Sequence, residues 1–386
     1  MTDTTPETRI AANFLRRPNL RTASGNERQI LDLIRRLGPI TRADLTRQTE
    51  LTAQSISRLV DELIDRGLLR TGARILKGRG QPGVAVELVP EAAYTIGISI
   101  MTDAVAVVLM DFTGAVLEEQ LEPLDTMRRA DVIDAIKRIV ARLIEKRAIK
   151  PTRLFGIGVA ITGYFIAAGT RVNPSEHLED WALIDLREVL SDAFQLPVWV
   201  DNDGNAAATG ESLFGVGRWT RSFAYIYVAT GLGGGVVIDG KVIEGAAGNS
   251  GEFTGILAPN LRDDRPTLEL LRQMINARGV EISSVSELIA RFDPAWPGIE
   301  AWIERTRQPL IAIVSAIAAV LDPEAIVIGG RIPPALAKRL ADETDFYAVP
   351  RRAHPRPLPR LVAAESIGDA TAIGAAALPL KHHFFR

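Results

Sequence analysis

The sequence predicts an α/β protein with an N-terminal winged helix-turn-helix head and a body of two related lobes facing a cleft. Three observations lead there. Short, capped helical segments over residues 41–64 are followed by two alternating strands. A β-β-β-α-β order runs from Ala93 to Ile161 and starts again after residue 222. Between residues 201 and 255, a strand-end carboxylate and two glycine loops follow one another, the arrangement in which α/β sheets hold ligands.

The 386 residues suffice for two or three domains, and 47% apolar with 24% charged is ordinary for a globular chain. There is no cysteine, which excludes disulfides and thiolate metal sites. No apolar run approaches a membrane span. The start, Met1 to Glu7, lacks the basic and apolar regions of a signal peptide. A cytoplasmic protein without a membrane partner is expected, nucleoid-associated when on DNA. The net charge of −2 hides an asymmetry. Residues 1–90 hold 15 Lys/Arg against 10 Asp/Glu, an excess of five cations, so the remainder carries −7. A basic head on an acidic body is suited to meet a polyanion.

Residues 1–24 are polar and read as a mobile arm. Over 25–90, Ile30, Leu31, Ile34 and Leu37 recur at helical spacing until Gly38-Pro39 stops them. Thr41, three residues before Asp44, caps a second helix. Thr52 caps a third, with Ile56, Leu59, Val60, Leu63 and Ile64 as its buried stripe and Gly67 as its end. Two short helices across a tight turn form a helix-turn-helix, whose second helix enters the major groove by its first residues. Thr52, Gln54, Ser55, Ser57 and Arg58 are therefore the candidate DNA contacts: Gln suits adenine, Arg guanine, and Ser phosphate or base. Leu68 to Ile75 and Val84 to Val89 alternate as strands, and the loop from Lys77 to Gly83 between them reads as a wing. Lys77, Arg79 and Gln81 would lie along the phosphate backbone or in the minor groove.

In the body, residues 91–200 read as a first lobe and 201–386 as a second, with the C-terminal helix able to pack back on the first. Ala93 to Ile100 and Val105 to Asp111 form a hairpin, Met127 to Arg147 a charged helix, and Leu154 to Ile161 a buried strand. Leu196 to Val200 is a short strand, with Asp203 at its end. Ala229 to Ile238 holds a glycine loop inside a hairpin, and Gly245 to Glu252 a second loop. Both expose backbone amides to a polar ligand. Pro309 is expected in the first turn of an apolar helix to Leu321, before a strand Ala325 to Ile328. Ala348 to Pro359 reads as a surface loop. His382 and His383 look like tail residues.

These stretches together resemble the ROK family (repressor, open reading frame, kinase). They are Val200-Asp201-Asn202-Asp203-Gly204-Asn205-Ala206-Ala207, Thr230 to Gly235, Gly248-Asn249-Ser250-Gly251-Glu252, Leu321 to Gly330, and Gly368 to Ala376. The resemblance covers most of the chain from about residue 25. It implies a two-lobed actin-like ATPase fold shared by sugar kinases and sugar-responsive repressors, the latter with a winged helix-turn-helix in front. It also implies that Asn202 and Asp203 bond sugar hydroxyls, Asp203 matching the kinase base, and that Glu252 and Glu269 contact the sugar. Thr162, Gly163 and Asn173 would line the same cleft.

Departures from the family are as informative. Aligned on Gly97, the phosphate loop Asp-x-Gly-Gly-Thr-Lys has become Ser99, Met101 and Asp103-Ala104, so neither ATP nor magnesium is expected and no residue is assigned as catalytic. The zinc-binding His position holds Gly255, and the Cys-rich stretch is replaced by Leu257 to Pro266; no metal is expected. The wing tip reads Gly80-Gln81-Pro82 in place of the family's Gly-Arg-Pro. The resulting expectation is a regulator, of the repressor kind, that binds double-stranded operator DNA as a homodimer or homotetramer and answers to a sugar or polyol. The alternatives are a carbohydrate kinase with a fused DNA-binding head, and a protein-interaction module.

Overall fold

The computed structural model describes residues 22–75, 83–167, 171–347, 354, 356–366 and 368–385. The head contains α1 (Gly25–Leu37), β1 (Ile40–Thr41), α2 (Arg42–Gln48), α3 (Ala53–Asp65), β2 (Leu69–Ile75) and β3 (Gly83–Leu88). Its sheet order is β1-β3-β2. Thr41 Oγ1 accepts the Asp44 amide at 3.1 Å and Thr52 Oγ1 the Ser55 amide at 3.2 Å. Each cap satisfies one of the four amides a helix start leaves open. The apolar stripe of α3 is buried at Ile56, Leu59, Val60 and Leu63. Leu37, expected in the stripe of α1, is 51% exposed because it is the last helical residue.

The first body sheet collects β4 (Tyr94–Ile100), β5 (Ala104–Asp111), β6 (Val116–Pro123), β7 (Leu154–Ile161) and, past the small hairpin β8 (Tyr164–Ala167) and β9 (Arg171–Asn173), β10 (Val198–Asn202). Helices α4 (Arg129–Lys146) and α5 (Leu186–Phe194) connect them. Its order is β10-β7-β4-β5-β6. The second collects β11 (Phe223–Val228), β12 (Leu232–Ile238), β13 (Lys241–Val242), β14 (Ala325–Gly330) and β15 (Arg360–Ala363), ordered β13-β12-β11-β14-β15. Around them lie α6 (Asp203–Phe214), α7 (Leu268–Asn276), α8 (Val285–Ala290), α9 (Ile299–Val320), α10 (Pro334–Glu343) and α11 (Ala370–His383). Position for position the two sheets have one topology. In each, the first strand sits in the centre, antiparallel to the second and parallel to the fourth.

Strands covered on both faces bury alternate residues against different partners. Val105, Val107 and Leu109 of β5 join the cluster containing Ile136 and Ile139 of α4, while Ala104, Ala106, Val108 and Met110 join that of α11. The second contact is close. A Cβ on Gly97 would lie 1.9 Å from the Ala372 carbonyl oxygen, and one on Gly158 would lie 1.7 Å from that of Ala375. Both glycines are thus set by the approach of α11 to the sheet.

Head and body share one core. Ile30, Leu31, Leu59 and Leu63 belong to the same buried cluster as Phe112, Phe155, Phe384 and Phe385. Arg28 Nε donates to the Phe385 carbonyl at 2.7 Å, and the Ala23 amide to that of His383 at 3.0 Å. Inside the head, the buried Glu27–Arg66 pair, 2.7 Å apart, ties α1 to the end of α3.

Two expectations are corrected. Pro309 lies inside α9, which begins ten residues earlier at Ile299. The charged residues around Glu304 and Arg307 mask a stripe, Ile299, Trp302, Ile303, Thr306 and Leu310, that is buried throughout. This packing outweighs the one amide a proline removes. His382 and His383 are no tail, since both lie in α11. The ring of His383 meets Phe155 and Trp199 edge-on at 5.2 and 5.4 Å, and burial pulls its pKa down to about 4. Most of the Ala348 to Pro359 stretch lies outside the described residues.

Candidate ligand cleft and nucleic-acid interface

The cleft between the lobes is a small cavity of about 140 Å³. One end is built from strand termini. Asn202, last in β10, caps α6: its side-chain oxygen accepts the Asn205 amide at 2.6 Å. That cap turns the chain so that Asp203, the first helical residue, faces the cleft. Asp203 accepts Thr162 Oγ1 and the Gly204 amide, both at 2.9 Å. Burial, opposed by those bonds and reinforced by Glu252, raises its carboxyl to about 7. Glu252 stands at the rim, its pKa raised by the protein around it. Two carboxyls together, each able to accept hydroxyls, suit a polyol.

The glycines here divide by function. A Cβ on Gly204 would lie 2.3 Å from the Gly234 carbonyl oxygen, so the first turn of α6 rests on the glycine strand β12. A Cβ on Gly231 or Gly233 would meet nothing within 4 Å, although both line the cleft. These two leave room for something the protein itself does not supply.

The other end is filled. Met101 and Thr102 of the β4–β5 turn line it, and Thr102 Oγ1 lies 3.0 Å from Thr230 Oγ1 of the facing glycine loop. Asp103 accepts Arg331 Nη1 at 2.7 Å and the Ser286 amide at 2.8 Å, and Arg331 Nη2 donates to Ser286 Oγ at 2.7 Å. Burial opposes the charge on Asp103, but Arg331 and Ser286 outweigh it and hold the carboxyl below its usual range. The groups that would face a triphosphate are therefore bound across the cleft to one another. At the position matching the family's zinc-binding histidine stands Gly255, and the chain has no cysteine. That donor set does not fit zinc.

The other sequence candidates separate. Thr162 and Gly163 line the cleft with Asp203 and Glu252. Asn173 reaches it only through Tyr164, donating to its hydroxyl at 2.7 Å. Asn202 is 2% exposed and used as the cap, so it is not at the cleft surface. Glu269 lies away from the lining, on α7, engaged by Arg272 at 2.7 and 2.8 Å, an i,i+3 pair that its short spacing favours. Sequence reasoning missed Arg331. Its signal was a cation immediately following the glycine-ended strand Ala325–Gly330. It also missed Asn249, whose amide group exchanges two 2.7 Å bonds with the Phe165 backbone and so ties the second lobe to the first.

In the head, Gln54 and Arg58 lie exposed at the start of α3. Thr52 and Ser55 share a 2.9 Å hydroxyl contact. Ser57 Oγ accepts Arg42 Nη1 at 2.8 Å, which pins α3 on α2. Arg58 rests on Glu62 at 2.6 Å, an exposed pair of about 0.3–0.5 kcal/mol that a phosphate or base can displace. Lys77, Arg79 and Gln81 lie outside the described residues.

Comparison with known proteins places the two parts separately and then together. Residues 95–263 match the model of the ROK family, and residues 24–80 that of the MarR family. The protein y4fQ of Sinorhizobium fredii (strain NBRC 101917 / NGR234) is 30% identical over 371 residues, covering 95% of this chain and 94% of its own. The xylose repressor of Caldicellulosiruptor bescii is 28% identical, over 76% of this chain and 79% of its own. Among solved structures, a ROK family transcriptional regulator homologous to the E. coli MLC protein superposes with a TM-score of 0.67 at 23% identity, covering 92% of this chain and 95% of that one.

Proposed function

The chain belongs to the ROK family, and on that premise we propose that it is a DNA-binding transcriptional repressor of carbohydrate-utilisation genes, controlled by a sugar bound in its cleft. The observation that carries this reading is the cleft's asymmetry. Its carboxylate end is open and lined by Asp203, Thr162 and Glu252, while its phosphate end is occupied by the Asp103–Arg331 pair. Such a cleft binds hydroxyls without offering a triphosphate the amides and cations that phosphoryl transfer needs. Kinase activity is accordingly absent from the proposal, as are zinc and ATP.

In the head, residues 25–90, the first turns of α3 enter the major groove by Gln54, Ser55 and Arg58, with Thr52 and Ser57 at the phosphates. The wing cations Lys77 and Arg79 and the neighbouring Gln81 follow the backbone. Two copies related by two-fold symmetry meet a palindromic operator. No described helix is long and apolar enough to cross a membrane, and the protein acts in the cytoplasm.

A sugar acts by preferring one arrangement of the lobes. A hundredfold preference amounts to about 2.7 kcal/mol. The test is titration of the purified protein against duplex DNA from around its own coding region, with and without sugars, xylose first. Tight binding weakened by one sugar, with the response lost in Asp203→Ala and operator binding kept, supports the reading. Weak, salt-sensitive binding without sequence preference refutes the DNA-binding part. Sugar-dependent ATP turnover that disappears in Asp203→Asn refutes the other.

A further inference from the structure

A second cavity lies away from the cleft, where the head meets the body. It measures about 700 Å³, against about 140 Å³ for the cleft. Its walls come from four parts of the fold: Arg28 of α1, Arg187 and Asp201 of the first lobe, Asn205, Lys241 and Glu244 of the second, and Lys381 of α11. Four cations thus face two carboxyls, in a body whose overall charge is negative.

Several of these groups are left incomplete by the protein. Lys381 Nζ and Arg187 Nε are buried with no hydrogen-bond partner, as is Asn205 Oδ1, whose own amide donates to Asp201 at 3.1 Å. A buried polar atom without a partner is costly to keep, and more so when it is charged. Three around one cavity are unusual in a folded protein, where such atoms are nearly always satisfied. Burial lowers the Lys381 amine to about 8, with Asp201 opposing the fall. Burial likewise raises Asp201 to about 7. The two have not settled into a tight ion pair, so both remain available to a third group.

We propose that this cavity is a second effector site, taking a small hydroxylated anion of the sugar-phosphate or sugar-acid kind. The anionic group meets Lys381, Arg187 and Lys241, and hydroxyls serve Asn205 Oδ1 and Asp201. This goes beyond the cleft reading and does not depend on it. A ligand here touches the strut between head and body directly. Arg28 donates to the main-chain oxygens of Lys381 and Phe385, and its neighbour Glu27 holds Arg66 at the end of α3. Occupancy therefore bears on how the head is held, by a route separate from closure of the lobes.

The experiment is isothermal titration of the full-length protein with glucose 6-phosphate, gluconate, glucose and inorganic phosphate at constant ionic strength. It is run in the Asp203→Ala background, which disables the cleft. The expected result is binding of glucose 6-phosphate or gluconate with Kd below about 1 mM, and none of glucose. The affinity falls at least about tenfold with Lys241→Ala, an exposed residue, and with Lys381→Met. Should Lys381→Met fail to fold by circular dichroism, Lys241→Ala decides alone. The proposal is overturned if no anion binds at about 10 mM, or if Lys241→Ala binds like its parent. It is equally overturned if inorganic phosphate binds as tightly as the hydroxylated anions, which would mark a plain cluster of cations. The cleft reading is read out separately, by the neutral-sugar response of the operator complex in the Lys241→Ala protein, and stands or falls without the cavity.

Discussion

The two ends of the cleft are both built at strand ends of lobes that share one topology, yet they have opposite characters. At one end, a strand terminus and a capped helix present Asp203, with Thr162 and Glu252 beside it in the lining. At the other, the β4–β5 turn reaches across the gap and is bonded to Arg331, Ser286 and Thr230 of the second lobe. In a kinase that turn would face a nucleotide. Here the lobes supply one another with the charges a nucleotide and its metal would have brought. On the proposed function, a binding fold sheds a reaction while keeping a ligand, by filling half of its cleft with its own side chains.

The comparison breaks most sharply at Asp203. Replacing it with Ala removes a carboxylate that accepts hydroxyls, each such bond contributing about 1.5–3 kcal/mol. Effector affinity should fall by on the order of a hundredfold or more, measured by titration, with operator affinity unchanged. If affinity survives, the open end is not the ligand site. At the closed end, Arg331→Met leaves Asp103 half-buried with one partner fewer and should cost about 1–3 kcal/mol in urea unfolding. The double change Asp103→Asn with Arg331→Met should recover much of that loss. ATP should bind to neither variant, because the glycine and lysine of a phosphate loop are still missing.

A subtler difference is titration. With Asp203 raised to about 7, a ligand that needs the carboxylate competes with a proton. Its affinity should rise about tenfold from pH 6 to pH 8 and then level off. Asp203→Asn should flatten the profile. The sign for stability is the reverse: a carboxyl whose folded pKa is raised favours the folded state at low pH. That contribution is lost as pH climbs from about 4 through 7. The smallest effect belongs to Gly233→Ala. Its Cβ meets no protein atom, so stability should stay within about 0.5 kcal/mol while effector affinity drops severalfold. Unchanged affinity would mean that the glycine face is not in contact with the ligand.

What the sequence made legible was local. Thr41 and Thr52 cap helices three residues away, and the strand from Leu154 to Ile161 is apolar along its whole length, so both are written in short windows. Asp203 was legible because a strand end and a helix start coincide there. The bonds that decide what the cleft can do were not. Arg331 and Asp103 are 228 residues apart, and Asn249 and Phe165 are 84 apart. No periodicity joins them; only the two sheets bring them face to face. Pro309 misled for a related reason. Its local chemistry speaks for a helix start, while the stripe from Ile299 onward is satisfied by packing against distant residues.

The core that the head shares with Phe384 and Phe385 also bears on how the protein is made. The head leaves the ribosome before the body, but part of its apolar contact surface belongs to α11 and the residues just after it, which are made much later. At ~5–20 residues per second the wait is on the order of tens of seconds. Through that interval the nascent head exposes a sticky face that only the finished body can cover. The same dependence makes the head a poor module for transplantation: grafted onto another body, it would arrive without the floor it was built to stand on.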